Sequence, residues 1–496
     1  MSHVRALLRS VWLGPALVML LVGLLRTAHP ELWRDEISSW SAATRDLGAL
    51  VGMLENVDAS NGVYYVLLHF WTTLFGDSVL SLRMPSALAM AGAAAFTALT
   101  ARRLFDSRTA GLAAGLLPAT VPLVSRFAQE VRTYALVTCA VAAACCLLLR
   151  ALERPGAGRW SLYALAMALA GCCHLISLSS LAGQLVLVLA HWWGRRREPG
   201  AARVLWQFPL AVLAVLLAAA PVAVYGGRQV GRQLGWVPRP SVHDLQYFWH
   251  DLLGSPREMQ VFAALALLAL LHPRFTRGAV QALLLGTLPV LLVWLASQGS
   301  GSYFTNRYLL FTVPALAMAA GGGVAAVAGL LGHLTARPLA VTAALSLIAV
   351  PLVLGAPRQQ QQRALLAHAD RDFAGAAAVI AAGYQPGDGL VTAAGDQAWA
   401  MVEPGVTFYL PASVRPVPMF VERDATRAQD LYAVPCPVAQ RCVGDAPRTW
   451  LVTIGTGDDP YEGLPDGQTE ALRYAFVLTD TRRLPGMTVS LLVRKA

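Results

Sequence analysis

The sequence predicts an α-helical, polytopic membrane protein that ends in a small soluble domain of mixed α/β structure. Of its 496 residues, 56% are hydrophobic and only 14% are charged, a balance that does not suit one water-soluble core. Apolar runs long enough to cross a bilayer recur up to about residue 355. Beyond that, Gly, Pro and Asp return and the apolar runs shorten to strand length. We therefore expect a membrane domain over residues 1–357 and a soluble domain over 358–496.

About eleven segments meet the length criterion for a transmembrane helix. The first, from Val11 to Leu25, resembles the apolar part of a signal peptide, but no clear cleavage site follows it, so we expect it to be retained. The predicted spans lie near residues 11–27, 79–101, 109–126, 134–150, 161–177, 178–194, 204–224, 257–272, 279–297, 307–331 and 338–355.

The arginine distribution predicts how these spans are oriented. Short cytoplasmic loops of membrane proteins are rich in arginine, and alternate loops of this chain are basic. With a cytoplasmic N-terminus, an odd number of spans puts the first loop and the C-terminal domain outside the cytoplasmic (inner) membrane. The residues assigned to the cytoplasmic side are Arg5, Arg9, Arg102, Arg103, Arg108, Arg150, Arg154, Arg159, Arg195, Arg196, Arg197, Arg203, Arg274, Arg277 and Arg337.

Composition also excludes several function classes. The net charge is +10, but the arginines are scattered between apolar runs and form no basic face with aromatic residues, so we expect no nucleic-acid partner. Lys495 is the only lysine, and no GxxxxGK[ST] sequence occurs, which argues against ATP hydrolysis and Schiff-base chemistry. The zinc-protease sequence HExxH is also absent.

The first outer loop carries the residues most suggestive of chemistry. The run from Trp33 to Glu36 ends in two adjacent carboxylates, Asp35 and Glu36, just beyond the first span. One interpretation is that they cap the following helix, since acidic residues are favoured in a first turn. The other is that they act on a reactive group carried on a lipid, because an ionised carboxylate there stays close to the bilayer. The segments 40–54 and 61–75 are amphipathic or too short to cross, so we expect interfacial helices in this loop.

Other polar residues interrupt apolar runs on the predicted outer side. Arg126 and Arg132 flank a membrane boundary, where arginine either grips phosphate bidentately or snorkels at the interface. His174 could bind phosphate or move a proton, although a packed histidine is the common alternative. Arg307 and Tyr308 begin the tenth span and suit a phosphate and its lipid neck.

Two of the seven cysteines lie in the predicted soluble domain. Outside the cell, Cys436 and Cys442 at their spacing can close a small disulfide loop, and we favour this over a zinc site because no second Cys or His pair lies nearby in sequence. The remaining five fall within apolar spans and are expected to be packing residues.

The order and spacing of these residues resemble the GT-C membrane glycosyltransferases, in particular the branch with bacterial protein O-mannosyltransferases and the aminoarabinose transferase of lipid A. The resemblance covers residues 10–150 well and the rest through topology. The matching stretches are Asp35-Glu36, Tyr64-Tyr65, Phe75-Gly76-Asp77 leading into Leu82-Arg83-Met84-Pro85-Ser86, Ala101-Arg102-Arg103-Leu104-Phe105, Arg132-Thr133-Tyr134, and Arg307-Tyr308-Leu309-Leu310 before Pro314.

The resemblance implies a GT-C fold and transfer of a sugar from a polyprenyl-phosphate donor, with inversion at the anomeric carbon. Asp35, beside Glu36, would be the general base that deprotonates the acceptor hydroxyl. The donor phosphate would be held by Arg83, Arg126, Arg132, Arg307 and Tyr308. The substrate cleft would include Trp33, Tyr64, Tyr65, Glu130, Tyr134, His174 and Asn306.

The resemblance does not identify the sugar or the acceptor. The sugar is mannose or a pentose such as arabinose, and the acceptor is a cell-wall glycan, a lipid or an exported protein. We expect no cofactor, because a lipid phosphate is already a tolerable leaving group. The pair Asp35 and Glu36 could instead hold a divalent cation, as in oligosaccharyltransferases, but only two ligands are evident. The alternative functions are a flippase or transporter of lipid-linked sugars and a non-catalytic scaffold.

Overall fold

The computed structural model describes residues 10–233, 235–334, 337–392 and 395–496. Arg5 and Arg9, used in the orientation prediction, lie outside the described residues. The α-helices are α1 Leu13–Leu24, α2 Arg34–Ala43, α3 Leu47–Asn56, α4 Gly62–Phe75, α5 Val79–Phe105, α6 Arg108–Leu116, α7 Pro122–Phe127, α8 Tyr134–Glu153, α9 Ala157–Cys173, α10 Ser180–Arg195, α11 Val204–Gln233, α12 Val242–Leu253, α13 Pro256–Leu271, α14 Thr276–Ala296, α15 Val313–Leu334, α16 Arg337–Gln361, α17 Phe373–Gly383, α18 Val402–Tyr409 and α19 Asp466–Ala475. The strands are β1 Gly389–Thr392, β2 Val417–Pro418, β3 Val421–Arg423, β4 Val434–Pro435, β5 Arg448–Ile454, β6 Phe476–Leu484 and β7 Met487–Arg494.

The chain divides into two compact units. The first, called here the membrane unit, contains Asp58–Tyr64, Arg83–Gln361 and the described part of the chain up to Thr27. The second, called here the soluble unit, contains Ala28–Val57, Tyr65–Leu82 and Gln362–Ala496. Most of the first predicted outer loop is therefore part of the same compact unit as the C-terminal domain.

Long apolar helices make this a multi-pass membrane protein. Among the described residues, seven helices are long and apolar enough to cross a bilayer. The total of about eleven spans and their orientation stay predictions, because several predicted spans correspond to shorter helices, such as α1 and α9. The seven candidates are Val79–Phe105, Tyr134–Glu153, Leu175–Arg195, Ala201–Gly231, Thr276–Ala296, Asn306–Leu334 and Pro338–Gln361.

The segment predicted as one span over residues 109–126 is interrupted. Helix α6 ends at Leu116, a 3₁₀ turn covers Leu117–Thr120, and α7 begins at Pro122. Proline has no backbone N–H to donate and clashes with the preceding turn, so Pro118 and Pro122 break the α-helix. The break places Arg126 in the last turn of a short, separate helix, and Arg132 in the loop that follows it.

The first loop forms three helices, α2 to α4. The single amphipathic segment predicted over residues 40–54 is divided, because Asp46 caps α3 by accepting a hydrogen bond from the Ala49 backbone at 2.9 Å. Helix α4 agrees closely with the predicted 61–75 segment. That these helices lie in the membrane interface stays a prediction.

A five-stranded mixed sheet forms the centre of the C-terminal region, with the strand order β2-β1-β5-β7-β6. Strand β1 is parallel to β2 and β5, while β7 is antiparallel to β5 and β6. Short apolar runs near residues 389, 448 and 487 predict strands, and these are present as β1, β5 and β7. The sequence also predicts a helix over 363–383, but this helix begins only at Phe373, since the Asp372 side chain caps it by accepting from the Gly375 backbone at 2.6 Å. Strand β6 was not predicted, because its side chains are mostly exposed and lack the apolar alternation of a buried strand.

Candidate active site

Asp35 and Glu36 occupy the first turn of α2 in the soluble unit, with Trp33 as the N-cap residue. The first turn of a helix presents unpaired backbone N–H groups and the positive end of the helix dipole, which stabilise a negative charge. The sequence therefore places both carboxylates beside the backbone N–H groups that begin α2.

The two carboxylates have different surroundings. Glu36 is fully buried, and its Oε2 accepts a hydrogen bond from the Trp33 backbone at 3.4 Å, so it closes the start of α2. The Asp35 side chain retains 18% exposure, and its Oδ1 lies 3.6 Å from Nε of Arg34. The capping interpretation thus describes Glu36, while Asp35 is the carboxylate that stays partly exposed.

Aromatic and cationic groups lie next to α2 in the soluble unit. The guanidinium carbon of Arg34 lies 4.8 Å from the ring centre of Trp399, and that of Arg371 lies 5.1 Å from the same ring. These cation–π contacts hold Arg34 at the helix start. Sequence inspection did not single out Trp399 or Arg371, because neither belongs to a recognisable motif.

The two tyrosines predicted to line the cleft are buried in different units. Tyr64 is 3% exposed and belongs to the membrane unit, whereas Tyr65 is fully buried in the soluble unit, where it interacts electrostatically with Arg45. This arrangement favours a packing role for Tyr65.

A second group of predicted residues comes together in the membrane unit. The rings of His174 and Tyr308 lie 4.7 Å apart, and Tyr134 lies 5.9 Å from His174 and 6.1 Å from Tyr308. Arg132 and Arg307 both lie within electrostatic range of the His174 ring. We call these five residues the cationic cluster: Arg132, Tyr134, His174, Arg307 and Tyr308.

Local backbone structure explains how each member reaches this cluster. Tyr134 is the first residue of α8, His174 follows the last residue of α9, and Arg307 and Tyr308 lie in the 3₁₀ helix Asn306–Thr312. These four residues therefore lie at helix ends, and Arg132 lies in the loop before α8. Asn306 begins the same 3₁₀ helix and is half-buried.

Arg307 is held between two aromatic rings. Its guanidinium carbon lies 5.4 Å from the Tyr308 ring centre and 4.9 Å from that of Trp236. Arginine stacks on such rings while keeping its charge and its N–H donors at the rim. Trp236 lies far from Arg307 in the sequence, so sequence analysis could not identify this pairing.

Arg126 is engaged by a neighbouring carboxylate. Its Nε lies 3.3 Å from Oε2 of Glu130, which is fully buried. Between them, Gln129 donates from Nε2 to the backbone oxygens of Gly23 and Leu25 at 3.1 and 2.8 Å, which satisfies carbonyls at the end of α1. This loop is thereby anchored to α1. The ion pair favours a structural role for Arg126 and Glu130 over direct contact with substrate.

Arg83 is also structural in its surroundings. It is fully buried, and its Nη1 donates to the backbone oxygen of Thr27 at 2.6 Å. A guanidinium without surface exposure cannot contact a ligand unless the helix around it moves. The geometry therefore favours a structural role for Arg83, which links α5 to the segment that follows α1.

The candidate residues offer few ligands for a metal ion. Over the described ranges, no three or more His, Cys, Asp or Glu side chains converge as a metal site would require. Glu36 is engaged as a cap, which leaves Asp35 and too few further donors to fit a divalent cation. We derive no metal-dependent step, and the absence of a cofactor stays a prediction.

The Cys436 and Cys442 sulfurs are bonded in a disulfide, the pairing that their spacing predicts. The bond closes a short loop between β4 and β5 in the soluble unit. Cys139, Cys145, Cys146, Cys172 and Cys173 carry free thiols.

Known structures share this architecture. The chain is similar to ArnT from Cupriavidus metallidurans bound to undecaprenyl phosphate, with a TM-score of 0.61, 17% identity, and coverage of 96% of this chain and 97% of that chain. The apo state of the same protein matches with a TM-score of 0.61 and 18% identity over 96% of this chain and 97% of that chain. The predicted GT-C fold is thereby confirmed.

A sequence comparison points to the same branch. A family model described as dolichyl-phosphate-mannose-protein mannosyltransferase matches residues 62–225. No curated protein sequence matches the chain. The predicted resemblance to GT-C proteins of the protein mannosyltransferase and aminoarabinose transferase type is therefore confirmed at the level of fold and partial family match.

Proposed function

We propose that this protein is a membrane glycosyltransferase that moves a sugar from a polyprenyl-phosphate donor to an acceptor on the outer face of the cytoplasmic membrane. The GT-C fold and the match of residues 62–225 to a mannosyltransferase family model support the class of reaction. That ArnT was crystallised with undecaprenyl phosphate supports a polyprenyl phosphate as the lipid partner. The sugar is mannose or a pentose such as arabinose.

The observation that carries the proposal is the cationic cluster. Arg132 and Arg307 place two permanent positive charges within electrostatic range of the His174 ring, which also contacts the rings of Tyr134 and Tyr308. A guanidinium offers paired donors to phosphate oxygens, and its attraction to them is stronger where neighbouring groups exclude water. The aromatic rings suit the apolar neck of a lipid phosphate.

Asp35 supplies the remaining chemistry. The acceptor hydroxyl attacks the anomeric carbon while Asp35 accepts its proton, and the bond from that carbon to the phosphate oxygen breaks. The electron pair leaves with the polyprenyl phosphate, whose growing negative charge Arg132 and Arg307 stabilise. Attack opposite the leaving phosphate inverts the anomeric carbon. Each of these steps needs one base and phosphate-binding cations, and none needs a nucleotide.

The test is transfer of radiolabelled sugar by the full-length protein in lipid nanodiscs. Polyprenyl-phosphate mannose and polyprenyl-phosphate arabinose serve as donors, with a membrane extract as acceptor. Asp35→Asn preserves the shape of the side chain but removes the base, so we expect transfer to fall about a hundredfold or more. Asp46→Asn is the matched control, since Asp46 is exposed in the same loop and asparagine still caps α3.

The outcomes separate the function classes. Transfer by the wild type and by Asp46→Asn, with loss in Asp35→Asn, supports a glycosyltransferase with Asp35 as base. Equal transfer by all three proteins would contradict the assignment of the base. Movement of the intact lipid-linked sugar across the bilayer without transfer would instead favour a flippase.

A further inference from the structure

The soluble unit contains an open cavity that the proposed reaction does not yet use. Its volume is about 140 Å³, and it lies where α2, α18 and the β3–β4 hairpin meet. Met401, Met419, Phe420 and Leu431 supply much of its apolar wall. An engineered protein cavity of about 150 Å³ holds one benzene ring, so this cavity has room for one sugar ring.

Two polar side chains line this cavity, and one of them has an unsatisfied oxygen. Gln468 lines it, is only 4% exposed, and its Oε1 has no hydrogen-bond partner among the described residues. A buried amide oxygen without a donor costs free energy that a ligand hydroxyl can recover. Glu403 also lines the cavity, and its Oε1 accepts from the Thr407 hydroxyl at 3.1 Å. Burial, with Asp424 nearby, raises the pKa of Glu403.

The charges around the cavity limit the ligand. Its described lining includes two carboxylates, Glu403 and Asp424, and neither arginine nor lysine. Asp424 is paired with Arg427 at 3.4 Å, but Arg427 is 81% exposed and does not line the cavity. A phosphate or carboxylate placed here would meet only like charge, which is unfavourable. The cavity therefore suits an uncharged, hydroxyl-rich ligand.

Two other ligand classes fit the cavity less well. A lipid chain would bury Glu403 and Gln468 without supplying donors, which desolvates them at a cost. A peptide would ordinarily add a strand to a sheet edge, but β2 is two residues long and contains Pro418. A sugar provides apolar C–H faces for the methionine and phenylalanine side chains, and hydroxyl donors for the amide and carboxylate oxygens.

The cavity and the proposed base lie along the same helix. Ser41 is one of the lining residues of the cavity and belongs to α2, which also carries Asp35. Ser41 is six positions after Asp35, roughly 9 Å along the helix axis at 1.5 Å per residue and about 120° around it. Helix α2 also packs on α18, where Trp40 and Phe408 meet edge to face at 5.1 Å. A short oligosaccharide can span this distance.

We propose that this cavity is an acceptor subsite that binds an uncharged sugar residue of a glycan, with Gln468 and Glu403 as its hydrogen-bonding groups. The inference rests on the proposed function and adds to it the class of acceptor. It places the bound residue of the acceptor a short distance from Asp35, so that a neighbouring sugar hydroxyl of the same glycan is the one deprotonated.

The test measures binding of mannotriose to the full-length protein in nanodiscs by saturation-transfer difference NMR. We expect saturable binding to the wild type, weakened about tenfold or more in Gln468→Leu and in the milder Glu403→Gln, because each loses a buried hydrogen bond to a hydroxyl. Glu470→Gln is the matched control, since Glu470 is an exposed residue of the same helix as Gln468 and should bind normally. A singly phosphorylated mannotriose should bind more weakly than mannotriose.

A kinetic readout separates a subsite from a merely structural role. In the transfer assay, Gln468→Leu should raise the acceptor KM about tenfold while kcat and the donor KM stay near wild type. Transfer that requires Asp35, combined with mannotriose binding that ignores both cavity variants, would overturn the subsite and leave the enzyme intact. Cavity-dependent binding in a protein that transfers no sugar would support the subsite and contradict the proposed reaction. Binding of a serine- and threonine-rich peptide in place of mannotriose would overturn the glycan class.

Discussion

At the residue scale, the cationic cluster gathers side chains that lie far apart in the sequence. Arg132, His174 and Arg307 come from three different helix ends and meet within one compact unit. By contrast, Arg83 and Arg126 resemble phosphate ligands in sequence but contact a backbone oxygen and a buried carboxylate. Residue type alone does not separate Arg83 and Arg126 from the arginines of the cationic cluster. The groups that each side chain contacts in the folded chain do.

Arg307 provides a direct test of phosphate binding. Arg307→Gln should lower kcat/KM for the polyprenyl-phosphate donor by about 10- to 100-fold, because a phosphate loses a charged, bidentate partner. Arg307→Lys should lose less, since it keeps the charge but not the planar pair of donors. The measurement is initial-rate kinetics with varied donor.

Arg228→Gln serves as the control for that series, because Arg228 is an exposed arginine of the same unit. An Arg307→Gln enzyme with an unchanged dependence on donor concentration would show that the guanidinium serves another purpose.

Glu31 shows how a residue can respond to pH. It is 4% exposed, and its Oε2 accepts from the Ala374 backbone at 3.2 Å. Burial, reinforced by the neighbouring Asp372 carboxylate, raises the pKa of Glu31 from 4.5 to about 7. Between pH 4.5 and about pH 7, Glu31 therefore carries a proton in the folded chain but has released it in the unfolded chain.

The expected consequence is a loss of stability as pH rises from about 4.5 to 7, because the unfolded state holds fewer protons over that window. Above about pH 7, we expect no further loss of stability from the titration of Glu31. Glu31→Gln removes the titration, so between pH 5 and pH 8 the wild type should lose more thermal stability than the variant. Parallel unfolding temperatures of the two proteins across this range would contradict the raised pKa.

At the element scale, helix packing depends on glycines in α15. An added Cβ at Gly323 would collide with the backbone oxygen of Leu265 on α13, and one at Gly321 would meet the backbone of Ala114 at 2.6 Å. Small residues allow membrane helices to approach until their backbones touch. Helix α15 thereby packs closely on α6 and α13, directly after the 3₁₀ helix that carries Arg307.

Gly323→Ala should therefore destabilise the membrane unit and lower the apparent unfolding temperature in detergent, with a cost of about 1–3 kcal/mol for the overpacked contact. Gly329→Ala on the same helix is the control, since an added Cβ there meets no atom within 4 Å among the described residues. It should be neutral or slightly stabilising, because alanine favours a helix over glycine. Equal stability of the two variants would mean that α13 and α15 do not pack this closely.

At the scale of the whole molecule, the two compact units have separate sources of stability. The membrane unit relies on packed apolar helices. In the soluble unit, the fully buried Asp388 accepts hydrogen bonds from Nη2 of Arg448 at 2.6 Å and from Nε1 of Trp450 at 3.0 Å. Although burial opposes its ionisation, these hydrogen bonds lower the pKa of Asp388. The ionised Asp388 therefore stabilises the soluble unit fully above the ordinary pKa of an aspartate. This stabilisation declines as the pH falls through the lowered pKa of Asp388.

Asp388→Asn should destabilise the soluble unit by on the order of 3 kcal/mol, because it leaves the largely buried Arg448 without its carboxylate. We expect the C-terminal region to become protease-sensitive at lower temperature while the helical circular-dichroism signal of the membrane unit persists. Asp480→Asn is the control, since Asp480 and its partner Arg482 are both exposed. Simultaneous loss of both units in Asp388→Asn would show that they unfold as one.

Much of the architecture was predictable because it follows from local pattern. Apolar run length predicts membrane helices, and short apolar runs of strand length predicted β1, β5 and β7. The boundaries of α3 and α17 were missed by several residues, since single caps at Asp46 and Asp372 decide them. Strand β6 was missed because its exposed side chains carry no burial pattern.

The sequence by itself determined the class of protein and its division into apolar and soluble parts, because these depend on composition and on neighbours along the chain. Only the tertiary structure decided that Glu36 caps α2 while Asp35 stays accessible, and that Arg307 stacks on Trp236 beside His174. It also revealed the cavity around Gln468. Such features arise from contacts between segments that are distant in sequence, and local sequence patterns do not reveal which of those contacts form.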